Sequence, residues 1–180
     1  MYLRLLILGV ALMLSANVCH AEREFAGLNF GVGISLTHDV GSNARVKSAS
    51  VVNGIVRVND ENNDIARIML ESHYFFTTNR KFLGSVSSLK WGWGPFMALQ
   101  PGTDDIVEAL GGGLMIGFKR SDDPSDTSSW NVGFGLVIDP NKTILGDGIT
   151  ENQPLPPGET EVRLKEKSQL GILVISSFTF

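Results

Sequence analysis

Apolar and polar residues alternate one for one along much of this chain. From Gly27 to Thr37, Leu28, Phe30, Val32, Ile34 and Leu36 alternate with Gly27, Asn29, Gly31, Gly33, Ser35 and Thr37. A period of two places each set on one side of an extended strand, and no helix would gather those five apolar residues on one side. The pattern recurs. Over Ile65–Phe76, Ile68, Leu70, Tyr74 and Phe76 share one face while Arg67, Glu71 and His73 share the other. Leu110–Phe118 sets Leu110, Leu114, Ile116 and Phe118 against Gly111, Gly113, Met115 and Gly117. Trp130–Ile138 and Leu170–Phe180 repeat it, with Gly133, Gly135, Gly171, Ser177 and Thr179 on the second face. Weaker alternation marks Val46–Val58, with Asn53-Gly54 as a bulge or tight hairpin, and Trp91–Gln100.

Alternation alone does not fix the medium, because a soluble barrel is apolar inside and a membrane barrel is apolar outside. The second face decides. It is mostly Gly, Asn and Ser rather than the Lys, Glu, Thr and Arg of a wetted strand. Small residues suit the crowded interior of a narrow barrel, and large aliphatic and aromatic residues opposite them suit lipid. The eleven residues Gly27–Thr37 span about 36 Å, which a tilt near 45° projects to about 26 Å, close to the apolar band of a membrane barrel. Closure also pairs every backbone N–H and C=O, as a bilayer requires. Tyr74, Trp91, Trp93 and Trp130 lie near strand ends and are candidates for an aromatic girdle.

Polar segments at 38–45, 59–64, 101–105 and 121–129 connect the strands. The longest connection, 139–167, holds Pro140, Pro154, Pro156 and Pro157, and a further projecting strand is expected over about Thr160–Lys165. Seven strands are counted: 27–37, 46–58, 65–77, 90–100, 106–119, 129–138 and 168–180. Membrane barrels of bacteria close on an even number. The expectation is therefore an all-β, antiparallel, up-and-down transmembrane β-barrel of eight strands. The eighth comes from 139–167 or from splitting 46–58 at Asn53-Gly54.

Composition narrows the setting. At 180 residues the chain is one domain. With 15 Lys+Arg, 19 Asp+Glu and a net charge of −4 it lacks the clustered basic face that nucleic acid demands. At 43% apolar residues it is not a disordered chain, and its longest apolar run is too short for a membrane-spanning helix. Met1–Arg4 is basic, Leu5–Leu14 apolar, and Ser15–Ala21 small and polar, the three regions of a secretory signal peptide. Cleavage is expected after Ala21, with Ala16 as the alternative, leaving 22–180 as the mature domain. Cys19 follows Val18 rather than the small residue a lipoprotein needs, so lipidation is not expected. The mature chain then has no Cys and no disulfide.

The end of the chain, Leu170-Gly-Ile-Leu-Val-Ile-Ser-Ser-Phe-Thr-Phe180, closes on an aromatic residue preceded by alternating apolar ones. It resembles the terminal strand of bacterial outer-membrane β-barrel proteins, which the barrel-assembly machinery recognises. With the signal peptide and the opening strand, the whole mature chain resembles small outer-membrane barrels of the eight-stranded kind. The resemblance implies a Gram-negative outer-membrane location. It also implies outer-membrane lipid and the assembly machinery as partners, with Phe178 and Phe180 as the assembly signal. It is a likeness of pattern and implies no activity.

Arg67, Glu71 and His73 would point into the lumen, where charges must pair, so an interior polar network is expected. A gate, or a catalytic base formed by His73 held by Glu71, is the alternative. Ser72 faces away from His73, which weakens a hydrolase triad. Asp60, Asn62, Asp64 and Glu71 mimic a calcium-loop register, but Ile65 stands where that loop needs Gly. Asp122, Asp123 and Asp126 form an acidic loop suited at most to weak cation binding. Gly31-Val-Gly33 and Gly111–Gly113 do not lead from a strand into a helix, so they make no dinucleotide fingerprint. His38 and His73 lie far apart and nothing has metal-ligand spacing, so no metal or cofactor is expected. Asn141-Lys-Thr143 is a glycosylation sequon without meaning in a bacterial setting. The expected function is a non-enzymatic outer-membrane barrel serving envelope structure, surface contact or minor porin-like solute passage. The alternatives are a soluble secreted or periplasmic barrel binding a lipid or other apolar ligand, and an outer-membrane lipid-modifying enzyme with His73 as base.

Overall fold

The structure, a computed structural model, describes residues 25–41, 44–77, 90–102, 106–123 and 126–180. The expected signal peptide lies outside them. They form eight strands and no helix: β1 (Gly27–Asp39), β2 (Val46–Val52), β3 (Ile55–Glu61), β4 (Asp64–Thr77), β5 (Trp91–Pro101), β6 (Val107–Lys119), β7 (Ser129–Leu145) and β8 (Leu164–Thr179). Six of them close a barrel in the order β1-β4-β5-β6-β7-β8, with every neighbouring pair antiparallel. The barrel is therefore six-stranded, not eight-stranded as expected from the sequence. Splitting 46–58 at Asn53-Gly54 does supply two strands, but they form a hairpin outside the wall. Both turn residues have positive φ, 52° and 76°, as a tight hairpin turn requires. β2 and β3 carry Lys47, Ser48, Ser50, Arg57, Asn59 and Asp60, so they have no unbroken apolar face to set against the medium around the wall.

The pairing registers fix the barrel's dimensions. Stepping from Gly31 through Glu71, Ala98, Gly111, Val137 and Gly171 returns to β1 at Asp39, a stagger of 39 − 31 = 8 residues. With about 3.3 Å rise and about 4.8 Å between strands, a stagger of eight over six strands gives a tilt near 43° and a radius of about 6–7 Å. So narrow a tube leaves no room for an open channel.

One face of every barrel strand points inward and is buried, and the other points outward and is exposed. Between the two edges of the wall the outward set is apolar on all six strands except for Ser72 and Ser176, with Ile34, Ile68, Met97, Leu114, Phe134 and Val174 as examples. On β8 it runs from Leu170 to Phe180, which at this tilt projects to about 24 Å along the barrel axis. The inward glycines are required where the wall is tight. A Cβ on Gly135 would strike the Gly112 carbonyl, and one on Gly117 would strike the Phe75 ring.

Above the barrel, at the end away from Gly27 and Phe180, the chain builds a cap. β7 and β8 extend past the wall as Lys142–Leu145 paired with Leu164–Lys167, beyond an irregularity between Asp139 and Lys142 that includes Pro140. The strand expected over Thr160–Lys165 begins only at Leu164. The β2–β3 hairpin joins the 146–163 loop through Val56 N to Gln153 O and Asn152 N to Val56 O, both 2.9 Å, and through the Ile55–Pro154 bridge. Val46, Val56, Ile144 and Ile149 are buried within this cap.

Candidate functional site

The lumen has three tiers. β1, β4 and β7 bring charged residues to its upper mouth because their inward parity ends there on Asp39, Arg67 and Asp139. Arg45, immediately before β2, reaches down between the two carboxylates. It donates through Nε to Asp39 at 3.1 Å and through Nη2 to Asp139 Oδ2 at 2.7 Å. Arg67 Nη2 donates to the same Asp139 oxygen at 2.6 Å, its Nε to Thr37 Oγ1 at 3.3 Å and its Nη1 to Gln100 Oε1 at 2.7 Å. Lys142, on the bulged stretch of β7, stands 3.3 Å from Asp39. Gln100 passes the chain on by donating to Glu108. Three cations and two carboxylates, all but Arg45 under a tenth exposed, thus pair with one positive charge in excess and pin the cap to the barrel mouth. Beside this cluster a cleft of about 550 Å³ opens between hairpin and rim, lined by Arg45, Lys47, Asp64, Arg67, Gln100 and Glu108 among others.

The middle tier is apolar. Met69, Phe96, Ala98, Val137, Leu173 and Ile175 belong to one buried cluster. The flat glycine wall of β6 and β7 admits the larger rings and chains, since the space beside Gly133 is taken by Ile175, Phe96 and Met115.

The lower tier is polar on one side. His73 Nδ1 shares a hydrogen bond with Glu71 Oε2 at 2.8 Å, and Ser177 Oγ donates to Glu71 Oε1 at 3.0 Å. Asn131 Nδ2 donates to Ser177 at 3.3 Å and Thr179 at 3.0 Å. Phe75 stacks on His73 with centroids 4.0 Å apart, and Phe25 leans on Phe75 at 5.5 Å.

The network expected from Arg67, Glu71 and His73 is therefore two networks. All three are buried and point inward, and Glu71 holds His73, but Arg67 pairs with Asp139 in another tier. Asp39, Arg45, Asp139, Lys142, Asn131 and Ser177 were not singled out by sequence reasoning. Asp139, Asn131 and Ser177 sit on the inward parity of strands that were recognised, which is a usable signal. Arg45 lies immediately before β2 and gave none. A hydroxyl does reach the dyad, from Ser177, but it donates to the carboxylate, not to the imidazole. The nucleophile-to-base contact of a triad is not made. Among the described residues no group of three His, Cys, Asp or Glu is placed to hold a metal.

Outside, Tyr74, Trp93 and Trp130 are exposed and Trp91 is half-exposed near the lower end. Phe76 contacts Trp93 with centroids at 5.6 Å, Phe118 stacks on Trp130 at 5.8 Å, and Arg120 lies 5.7 Å from the Phe178 ring centre. Trp130 Nε1 donates to Ser176 Oγ at 3.0 Å. Phe178 and Phe180 are exposed in this same ring. The upper edge is aliphatic, with Leu36, Ile68, Leu99, Ile138 and Leu170. The chain matches no known protein family, no curated protein and no solved structure.

Proposed function

We propose that this protein is an integral barrel of the bacterial outer membrane, without enzymatic activity, that anchors a rigid cap at the membrane surface. The single observation that carries this reading is the apolar belt on all six strands. A partner protein could cover one side of such a belt, whereas a bilayer covers the whole circumference. The belt's projected height of about 24 Å is close to the roughly 25 Å apolar band of membrane barrels, and the tilt near 43° lies within their range. The one-sided ring of aromatics has the amphipathic character that suits an interface. Six strands fall below the eight from which such barrels are usually counted, but the number is even.

The lumen favours anchoring over solute passage, because the charged upper tier and the apolar middle tier close it. It also speaks against the soluble apolar-ligand reading, since the greasy surface faces out. The lipid-modifying reading loses its base, because His73 and Glu71 are buried inside the wall. The partners in this reading are outer-membrane lipid and the barrel-assembly machinery, with Phe178 and Phe180 as the recognised end and residues 1–21 as the export signal.

Cell fractionation with gel mobility tests it. The protein should sediment with the outer membrane, resist extraction by salt or alkali, and migrate faster unheated than boiled. Recovery in the soluble periplasmic fraction, or identical mobility with and without heat, would overturn it.

A further inference from the structure

Three buried polar atoms at the lower end of the lumen have no protein partner among the described residues: His73 Nε2, Asn131 Oδ1 and Ser129 Oγ. Their residues are at most 2% exposed. Buried donors and acceptors in native interiors are paired with protein or with ordered water, because an unpaired one is costly. These three are not scattered. His73 begins the chain His73–Glu71–Ser177–Asn131–Thr179, and Asn131 branches it. Ser129 stands in register with Thr179 at its far end. Two of the unpartnered atoms thus belong to one hydrogen-bonded line running from β4 through β8 to β7, and the third stands beside its end.

We propose that the lower lumen is a hydrated chamber, a built site for ordered water that completes this line by bonding His73 Nε2, Asn131 Oδ1 and Ser129 Oγ. A buried water makes two to four hydrogen bonds, and each of these three atoms has one left to make. The chamber is blind above, where Met69, Leu173 and Ile175 are buried with no exposed surface. Below, it meets the mouth residues Phe25, Lys119 and Thr127. Glu71 from β4 and Lys119 from β6 are the charged groups on its sides, and Lys119 Nζ is directed to the Asp123 carbonyl. β1 contributes Asn29, β5 Gly94 and Phe96, and β7 and β8 only neutral groups. Water in the chamber gives His73 Nε2 the hydrogen-bond partner that no described residue provides. The inference holds whatever medium surrounds the barrel.

The test is water-edited NMR on the full mature chain labelled with 15N at His and Asn and folded in lipid or detergent. Magnetisation from water should reach the His73 ring N–H and the Asn131 amide as well as the exposed His38. Transfer to His38 with none to His73 or Asn131 would mean a dry chamber and overturn the proposal. Ser129→Ala is a second arm that leaves the His73–Glu71 pair in place. In a dry interior, removing an unpaired hydroxyl raises the urea midpoint. In a hydrated chamber the midpoint stays level or falls, so a raised midpoint overturns the proposal even if the spectra are crowded.

Discussion

Leu114→Arg probes the depth of the belt. Leu114 is 61% exposed, points outward from β6, and lies between Leu110 and Phe118 near mid-height. In water an Arg there would be a surface substitution, worth within about ±0.5 kcal/mol. In a bilayer it places a guanidinium near the midplane of the wall, at a cost of about 2–4 kcal/mol. That is a shift of roughly 30- to 700-fold in the folding equilibrium. Leu170→Arg is the control. Leu170 is 46% exposed and also outward, but it sits at the upper edge of the belt, where the same change costs about 0–1 kcal/mol. Both variants are refolded into bilayers and titrated with urea, following tryptophan emission. The expected result is a loss for Leu114→Arg that exceeds that of Leu170→Arg by at least about 1 kcal/mol. Equal midpoints for the two variants would refute depth dependence and with it the lipid-facing wall.

Asp139→Ala removes the carboxylate that two guanidinium groups share and should cost about 3–5 kcal/mol, read as a lower urea midpoint. A loss under about 1 kcal/mol would show that the upper cluster does not hold the mouth. Gly135→Ala should be worse than Gly133→Ala, because its Cβ meets Gly112 backbone whereas the other meets movable ends of Ile175, Phe96 and Met115. Overpacking of the second kind costs about 1–3 kcal/mol, and the ranking is read from the heat-modifiable fraction on gels. In the 146–163 loop, the hydrogen bond from Lys165 holds the Asp147 carboxyl below its ordinary range, and the one from Arg163 does the same for Glu159. A depressed carboxyl contributes stability above its unfolded value and loses it as pH falls through the folded one. The loop should therefore keep its hydrogen-exchange protection down to about pH 4 and lose it below that. Loss between pH 7 and pH 5 would contradict the pairing.

The barrel wall was legible because side chains on a strand must alternate. Leu28 to Leu36 against Gly27 to Thr37 states which residues face in and which face out without any knowledge of neighbours. Glu71 and His73 were legible for the same reason, two residues apart on one strand. The number of wall strands was not, because closure depends on the stagger accumulated over six pairings, which no single segment records. β2 and β3 read as strands from their valines, yet their polar faces keep them out of the wall. The Arg45–Asp139 bond joins residues 94 positions apart, one of them in a segment without period, so nothing local pointed to it. Ser177 appeared only as a small residue of a second face and Asn131 shares that inward parity, and their role follows from β8 and β7 lying side by side.

The proposal that the wall faces lipid can be tested most directly on the unmodified protein, because all three tryptophans, Trp91, Trp93 and Trp130, belong to the lower aromatic ring. In bilayers carrying brominated lipids, their emission should be quenched, and quenched more by bromine near the headgroup end of the acyl chain than at its tip. Emission indifferent to bromine at every depth, with full quenching by aqueous iodide, would contradict a barrel seated in lipid.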